Sequence, residues 1–73
     1  MIPRTLEPRE VEVLIHLANG KTTDEICALM KLHKTVILDL TRIAMRKLGA
    51  VNRINAVAIA VELGLVNVGN RGL

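Results

Sequence analysis

KTTDEICALMKLHKTVILDLTRIAMRKLG, residues 21–49, decides the fold. Thr22-Thr23-Asp24-Glu25 is a capping box, in which the Thr22 hydroxyl caps the Glu25 amide and the Glu25 carboxylate answers the Thr22 amide. Asp24 and Glu25 also suit the positive end of a helix dipole. A helix is therefore expected over 22–30, with Ile26, Cys27, Leu29 and Met30 as its buried side. Lys31-Leu32-His33 has room only for a tight connection. The following helix covers 34–48, with Lys47 in its last turn and Gly49 as its stop. A short helix, a three-residue turn and a longer helix make a helix-turn-helix unit.

The flanking sequence supplies one helix on each side. Pro8 suits a first helical position, Glu10 follows Glu7 by three residues, and Leu6 is placed to staple against Val11. Val11, Leu14, Leu17 and Ala18 recur at helical spacing, and Gly20 closes this helix, 8–19, as a left-handed C-cap. Beyond Gly49, Asn52 caps a fourth helix over 53–63, with Val51 as a staple toward Ala56 and Gly64 as the stop. The fold class is all-α: a four-helix domain over 6–66 with a central helix-turn-helix. Residues 1–5 read as an N-terminal extension, and 67–73, with two glycines and no periodicity, as a flexible tail.

Composition narrows the function. The 73-residue chain has no Phe, Trp or Tyr, so the core is aliphatic and the stacking platforms of single-strand binders are missing. Cys27 is the only cysteine; it fits a core thiol in a reducing compartment, and no base stands ready to make it a nucleophile. His16 and His33 with one cysteine supply too few ligands for zinc. No Gly-rich phosphate loop is present, and the acid pairs Glu10/Glu12 and Asp24/Glu25 read as helix-start charges. No catalytic residue, metal or cofactor is expected. The N-terminal MIPRTLEPRE has no apolar signal region, and uncharged stretches such as Ile54 to Val61 fall far short of the ~20 residues that span a bilayer. A soluble, cytoplasmic protein is expected, with no membrane partner.

Charge is unevenly placed. From Lys31 to Arg53 the chain carries Lys31, Lys34, Arg42, Arg46, Lys47 and Arg53 against Asp39 alone, whereas acids outnumber bases in the remainder. Such asymmetry fits a surface that faces a polyanion; a solvated face with a chance excess is the plainer alternative.

Two long strings carry a family resemblance. LEPREVEVLIHLANGKTTDEI at 6–26 and MRKLGAVNRINAVAIAVELGLV at 45–66 closely resemble the opening and closing halves of the LuxR/GerE-type DNA-binding domain of bacterial transcription regulators. The resemblance implies a third helix that enters the major groove of double-stranded DNA, and homodimers joined through the fourth. Where the family commonly places Thr-Val-Lys-x-His, this chain has Val36, Ile37, Leu38, Asp39 and Leu40, so the Lys and His of the pattern are leucines.

A helical wheel sorts the third helix. Ile37, Leu40, Thr41, Ala44 and Leu48 share an inward face. Thr35, Asp39, Arg42 and Arg46 lie opposite, flanked by Leu38 and Ile43, with Lys34 and Lys47 nearer the edges. Arg42 and Arg46 are candidates for phosphate or guanine contacts, Thr35 for a phosphate and Leu38 for a thymine methyl. Asp39 repels phosphate and among bases suits a cytosine amino group. Lys21, Thr22 and Thr23 sit where the second helix's backbone amides could hold a phosphate, although capping alone accounts for Thr22. The fourth helix is apolar nearly all round, and Ile54, Val57, Ala58 and Val61 are the residues expected at a homodimer contact. Two functions stay open: a duplex-DNA-reading transcription regulator, or a degenerate helix-turn-helix acting as a protein-interaction or anti-regulator module, with Leu38 and Ile43 as its contact.

Overall fold

The computed structural model describes residues 6–66. The expected extension at 1–5 and tail at 67–73 lie outside them. Four helices run in order: α1 Pro8–Ala18, α2 Thr23–Met30, α3 Lys34–Leu48 and α4 Arg53–Glu62. No strand occurs among the described residues. The all-α helix-turn-helix architecture expected from the sequence is the one observed, with ends shifted by one residue because Asn19, Thr22 and Leu63 are caps.

The caps follow the local chemistry. Thr22 Oγ1 accepts the Glu25 amide at 3.1 Å and Glu25 Oε1 accepts the Thr22 amide at 2.8 Å, closing the capping box that starts α2. Asn52 Oδ1 accepts the Asn55 amide at 2.7 Å and starts α4. Gly49 ends α3 at φ +71°, which turns its amide onto the Arg46 carbonyl (3.1 Å) and the Ala50 amide onto the Met45 carbonyl (2.9 Å). That left-handed geometry strains any residue with a Cβ. Lys31 adopts the same conformation at φ +58° to leave α2 and is the non-glycine residue that does so among those described.

α3 is the central element. Its N-terminal half inserts Ile37 between Val13 of α1 and Ile26 of α2, with Leu17, Cys27, Met30, Leu32 and Leu40 packed around them. Its C-terminal half places Ala44 against Leu14 of α1, Ala56 and Ala60 of α4, and Val66. Burying Leu14, Ile26 or Ile37, each at most 1% exposed, contributes about 1.5–3 kcal/mol apiece. Thr41 is buried between these clusters, its hydroxyl donating to the Ile37 carbonyl at 2.8 Å. Past α4 the chain turns at Gly64 and returns Val66 to the core.

Beside this core lies an ion pair. Glu10, in the first turn of α1, is only 4% exposed. Its Oε1 accepts the Glu7 amide at 3.0 Å and the Lys47 ammonium of α3 at 2.9 Å. Glu10 is thus a charged strut between helices and not merely a helix-start charge.

Four further expectations need correction. The core position of α1 is Val13, fully buried, rather than half-buried Val11; the buried phase runs Glu10, Val13, Leu14, Leu17, Ala18. Leu29 of α2 is 52% exposed because α3 crosses on the Ile26 side. Cys27 is only half-buried, at the margin of that contact. Val51 is 82% exposed and makes no staple to Ala56, which faces inward.

Two substitutions probe these devices by urea denaturation. Gly49→Ala should lower stability by about 1–2 kcal/mol, the cost of a Cβ in the left-handed region, while Lys31→Gly should be neutral or stabilising. Lys47→Met should cost about 3 kcal/mol, since it strands a buried carboxylate. Adding Glu10→Gln to Lys47→Met should restore more than half of that loss. A Lys47→Met chain as stable as wild type would show that the pair holds nothing.

Candidate nucleic-acid interface

The inward strip of α3 is consumed by the core, and this dictates what the outward strip can be. Thr35, Leu38, Arg42 and Arg46 are exposed and Asp39 is half-buried. At 100° per residue they occupy one band about 100° wide, opposite Ile37, Thr41 and Ala44. Arg42 and Arg46 lie one turn apart, about 6 Å along the axis. Because α2 and α1 pack on the other side, no described element covers this band.

The positive charges of α3 face different partners. Lys34, 63% exposed at the side chain, stands 3.9 Å from Asp24 Oδ1 and links the starts of α3 and α2. Arg42 Nη2 donates to Asp39 Oδ1 within the outward band. Arg46 is exposed and has no ion-pair partner among the described residues. Lys47 points the other way, to Glu10, with 23% of its side chain exposed. The sequence puts Lys47 near the edge of the band as a candidate DNA contact; in the structure its ammonium meets Glu10 between α1 and α3.

The remaining candidates fall in two places. Lys21 and Thr22 are exposed and Thr23 half-buried at the start of α2, where Thr22 is engaged in the capping box through both its hydroxyl and its amide. On α4, Ala56 and Ala60 face the core, so the opposite side carries Ile54 (83% exposed), Ala58 and Val61 (41%). Val57, half-buried, joins Leu17, Arg53 and Ile54 around a shallow cleft of about 190 Å³.

Leu38 and Ile43 do not form one patch. Leu38 is 41% exposed, but Ile43 is half-buried and sits about 140° away around the helix. Leu40, in the register of the family's His, packs into the α1–α2–α3 cluster instead of facing out. Sequence reading missed two features of the site. One is the Glu10 partner of Lys47, 37 residues distant, which no local signal reveals. The other is the Asp39–Arg42 pair, which the i,i+3 spacing could have revealed.

Among the described residues no helix is long and apolar enough to cross a membrane, and no group of three potential metal ligands gathers.

The family model described as "Bacterial regulatory proteins, luxR family" matches residues 4–60, more than half of the chain. The HTH-type quorum sensing-dependent transcriptional regulator RpaR of Rhodopseudomonas palustris is 47% identical over 62 residues, covering 84% of this chain and 25% of that protein. The regulator VjbR of Brucella abortus, described in the same terms, is 39% identical over 62 residues, covering 85% and 24%. The transcriptional activator protein PhzR of Pseudomonas fluorescens is 41% identical over 58 residues, covering 80% and 24%. The chain thus spans about a quarter of the length of these relatives.

Proposed function

The chain belongs to the luxR family of bacterial regulatory proteins and is a DNA-binding helix-turn-helix domain of that family; from this premise we propose that the outward band of α3 reads duplex DNA in the major groove. The observation that carries the reading is the division of α3 itself. Ile37, Thr41 and Ala44 are spent in the core, while Thr35, Arg42 and Arg46 stand exposed on the opposite strip. An α-helix fits the major groove, and arginine is the side chain best matched to guanine O6 and N7.

The roles divide by charge environment. Arg46, without an internal partner, serves as a phosphate anchor at the band's C-terminal end. Arg42 reads a base edge. Thr35 and Lys34 hold the phosphates where α3 begins, with Lys21, Thr22 and Thr23 at the neighbouring start of α2. Leu38 meets a thymine methyl. Lys47 belongs to the fold, so its loss acts through stability.

A second copy binds through α4. Ile54, Ala58 and Val61 form an i, i+4, i+7 stripe on its outer side, and the small Ala58 permits close approach. Two copies related by a dyad would present their α3 helices to successive major grooves about one helical turn apart. The protein would act in the bacterial cytoplasm as a transcription regulator, not as an enzyme. That relatives are named as quorum sensing-dependent regulators or activators supports the regulatory setting.

Fluorescence anisotropy on duplex DNA across a salt series tests this. Wild type should bind at low ionic strength and weaken steeply as salt rises, because binding releases counterions. Arg46→Ala should weaken all duplexes alike and make the log–log salt slope shallower by about one, whereas Arg42→Ala should relax preference at one base pair at a cost of ~1–3 kcal/mol. Ile54→Glu should leave the helical circular dichroism intact and abolish cooperative occupancy of dyad sites. No binding at low salt by a folded chain would favour the protein-interaction reading, with exposed Leu38 as the first residue to replace.

A further inference from the structure

An acid in a DNA-facing band looks like a defect. Asp39 stands midway along the strip's length, at its lateral edge, where it repels phosphate. Yet its side chain, 51% exposed, accepts from Nη2 of Arg42, itself 65% exposed. An exposed i,i+3 ion pair contributes too little to be a stability device. Nor does Asp39 cap or bridge any other element. Its effect falls on Arg42.

The chemistry of that effect is specific. A guanidinium carries five N–H donors in a rigid plane. One Nη2 hydrogen directed to Asp39 leaves the other donors of the fork free, enough to meet guanine O6 and N7 side by side. A long arginine without a partner samples many rotamers, and nearby phosphates attract most of them. Paired to a carboxylate one turn away on the same helix, it is biased toward one set of rotamers before DNA arrives. The pair is also close to neutral, so Arg42 gains little from non-specific phosphate contact. The neighbouring Arg46, with no such partner, remains the charge that grips the backbone.

We propose that Asp39 is a specificity-determining positioning residue, which orients the Arg42 guanidinium toward a guanine edge and withholds it from phosphate. The inference rests on the DNA-reading function above and names the residue that sets its selectivity.

The experiment selects bound sequences from a randomised duplex library, using the full chain as wild type, Asp39→Ala, Asp39→Asn, Asp39→Glu, Arg42→Ala and the Asp39→Ala/Arg42→Ala double variant. Circular dichroism and thermal unfolding accompany each. Wild type should enrich guanine at one position per half-site by about 5- to 150-fold over other bases, the range of one good bidentate contact. Arg42→Ala should erase that preference. Asp39→Ala and Asp39→Asn should erase most of it at the same position and nowhere else, with unfolding unchanged. Their affinity for a scrambled duplex should rise, and its log–log salt slope should steepen by about one as Arg42 turns to phosphate. In the Arg42→Ala background Asp39→Ala should change no base preference; with Arg42 present, Asp39→Glu, which can still pair, should keep part of the guanine preference. Guanine preference that survives Asp39→Ala but not Arg42→Ala would overturn the inference, as would wild-type DNA binding with no guanine preference that depends on Arg42. Failure of wild type to retain any duplex at low salt would overturn the DNA-reading function itself, a result distinct from both.

Discussion

The ion pair between Glu10 and Lys47 fixes how the two longest helices meet. A carboxylate at the bottom of an interhelical seam is costly unless its charge is answered, and Lys47 answers it at 2.9 Å from the far end of α3. That contact acts with the two apolar clusters, since Ile37 and Ala44 lie two turns apart on the same side of α3. Together they set both the position of α3 and its rotation about its own axis. A rotation of 100°, one residue's worth, would bring outward arginines toward the core and separate Lys47 from Glu10. The outward band is therefore a consequence of the packing.

That constraint also sorts the cations, which net charge cannot do. Six basic residues lie between Lys31 and Arg53, but the fold gives those of α3 different work. Lys47 is turned into the seam, Lys34 leans toward Asp24, Arg42 is held by Asp39, and Arg46 has no internal partner among the described residues. The basic face is smaller than the sequence suggests and more differentiated. The exposed residues of α4 follow from the same logic. The core takes Ala56 and Ala60, and the helix is apolar nearly all round, so Ile54 and Val61 are left outside.

The sequence revealed most where a few adjacent residues carry the physics. The Thr22–Glu25 box, the Asn52 cap and the glycine stop at Gly49 need only their immediate neighbours, and each was legible. The inward face of α3 was legible too, because fifteen residues give the period enough turns to declare its phase. Shorter helices did not. Eleven residues of α1 permitted a phase through Val11 as readily as the true one through Val13, and eight residues of α2 left Leu29 ambiguous. Lys47 could not be assigned, because its partner lies in another helix, and a lysine bound for a seam looks like one bound for solvent until the helices are packed. Asp39 taken alone is a charge facing DNA, yet its i,i+3 spacing to Arg42 is enough to pair the two.

One strip of α3, defined by what the other strip buries, is the surface we propose meets DNA. Amide chemical-shift mapping of the ¹⁵N-labelled chain titrated with duplex DNA at low ionic strength tests it residue by residue. Perturbations should concentrate between Lys34 and Arg46 and at the start of α2, with Val13, Leu14 and Ala44 little changed. Perturbations gathered on the outer sides of α1 and α4, with the α3 strip silent, would contradict it.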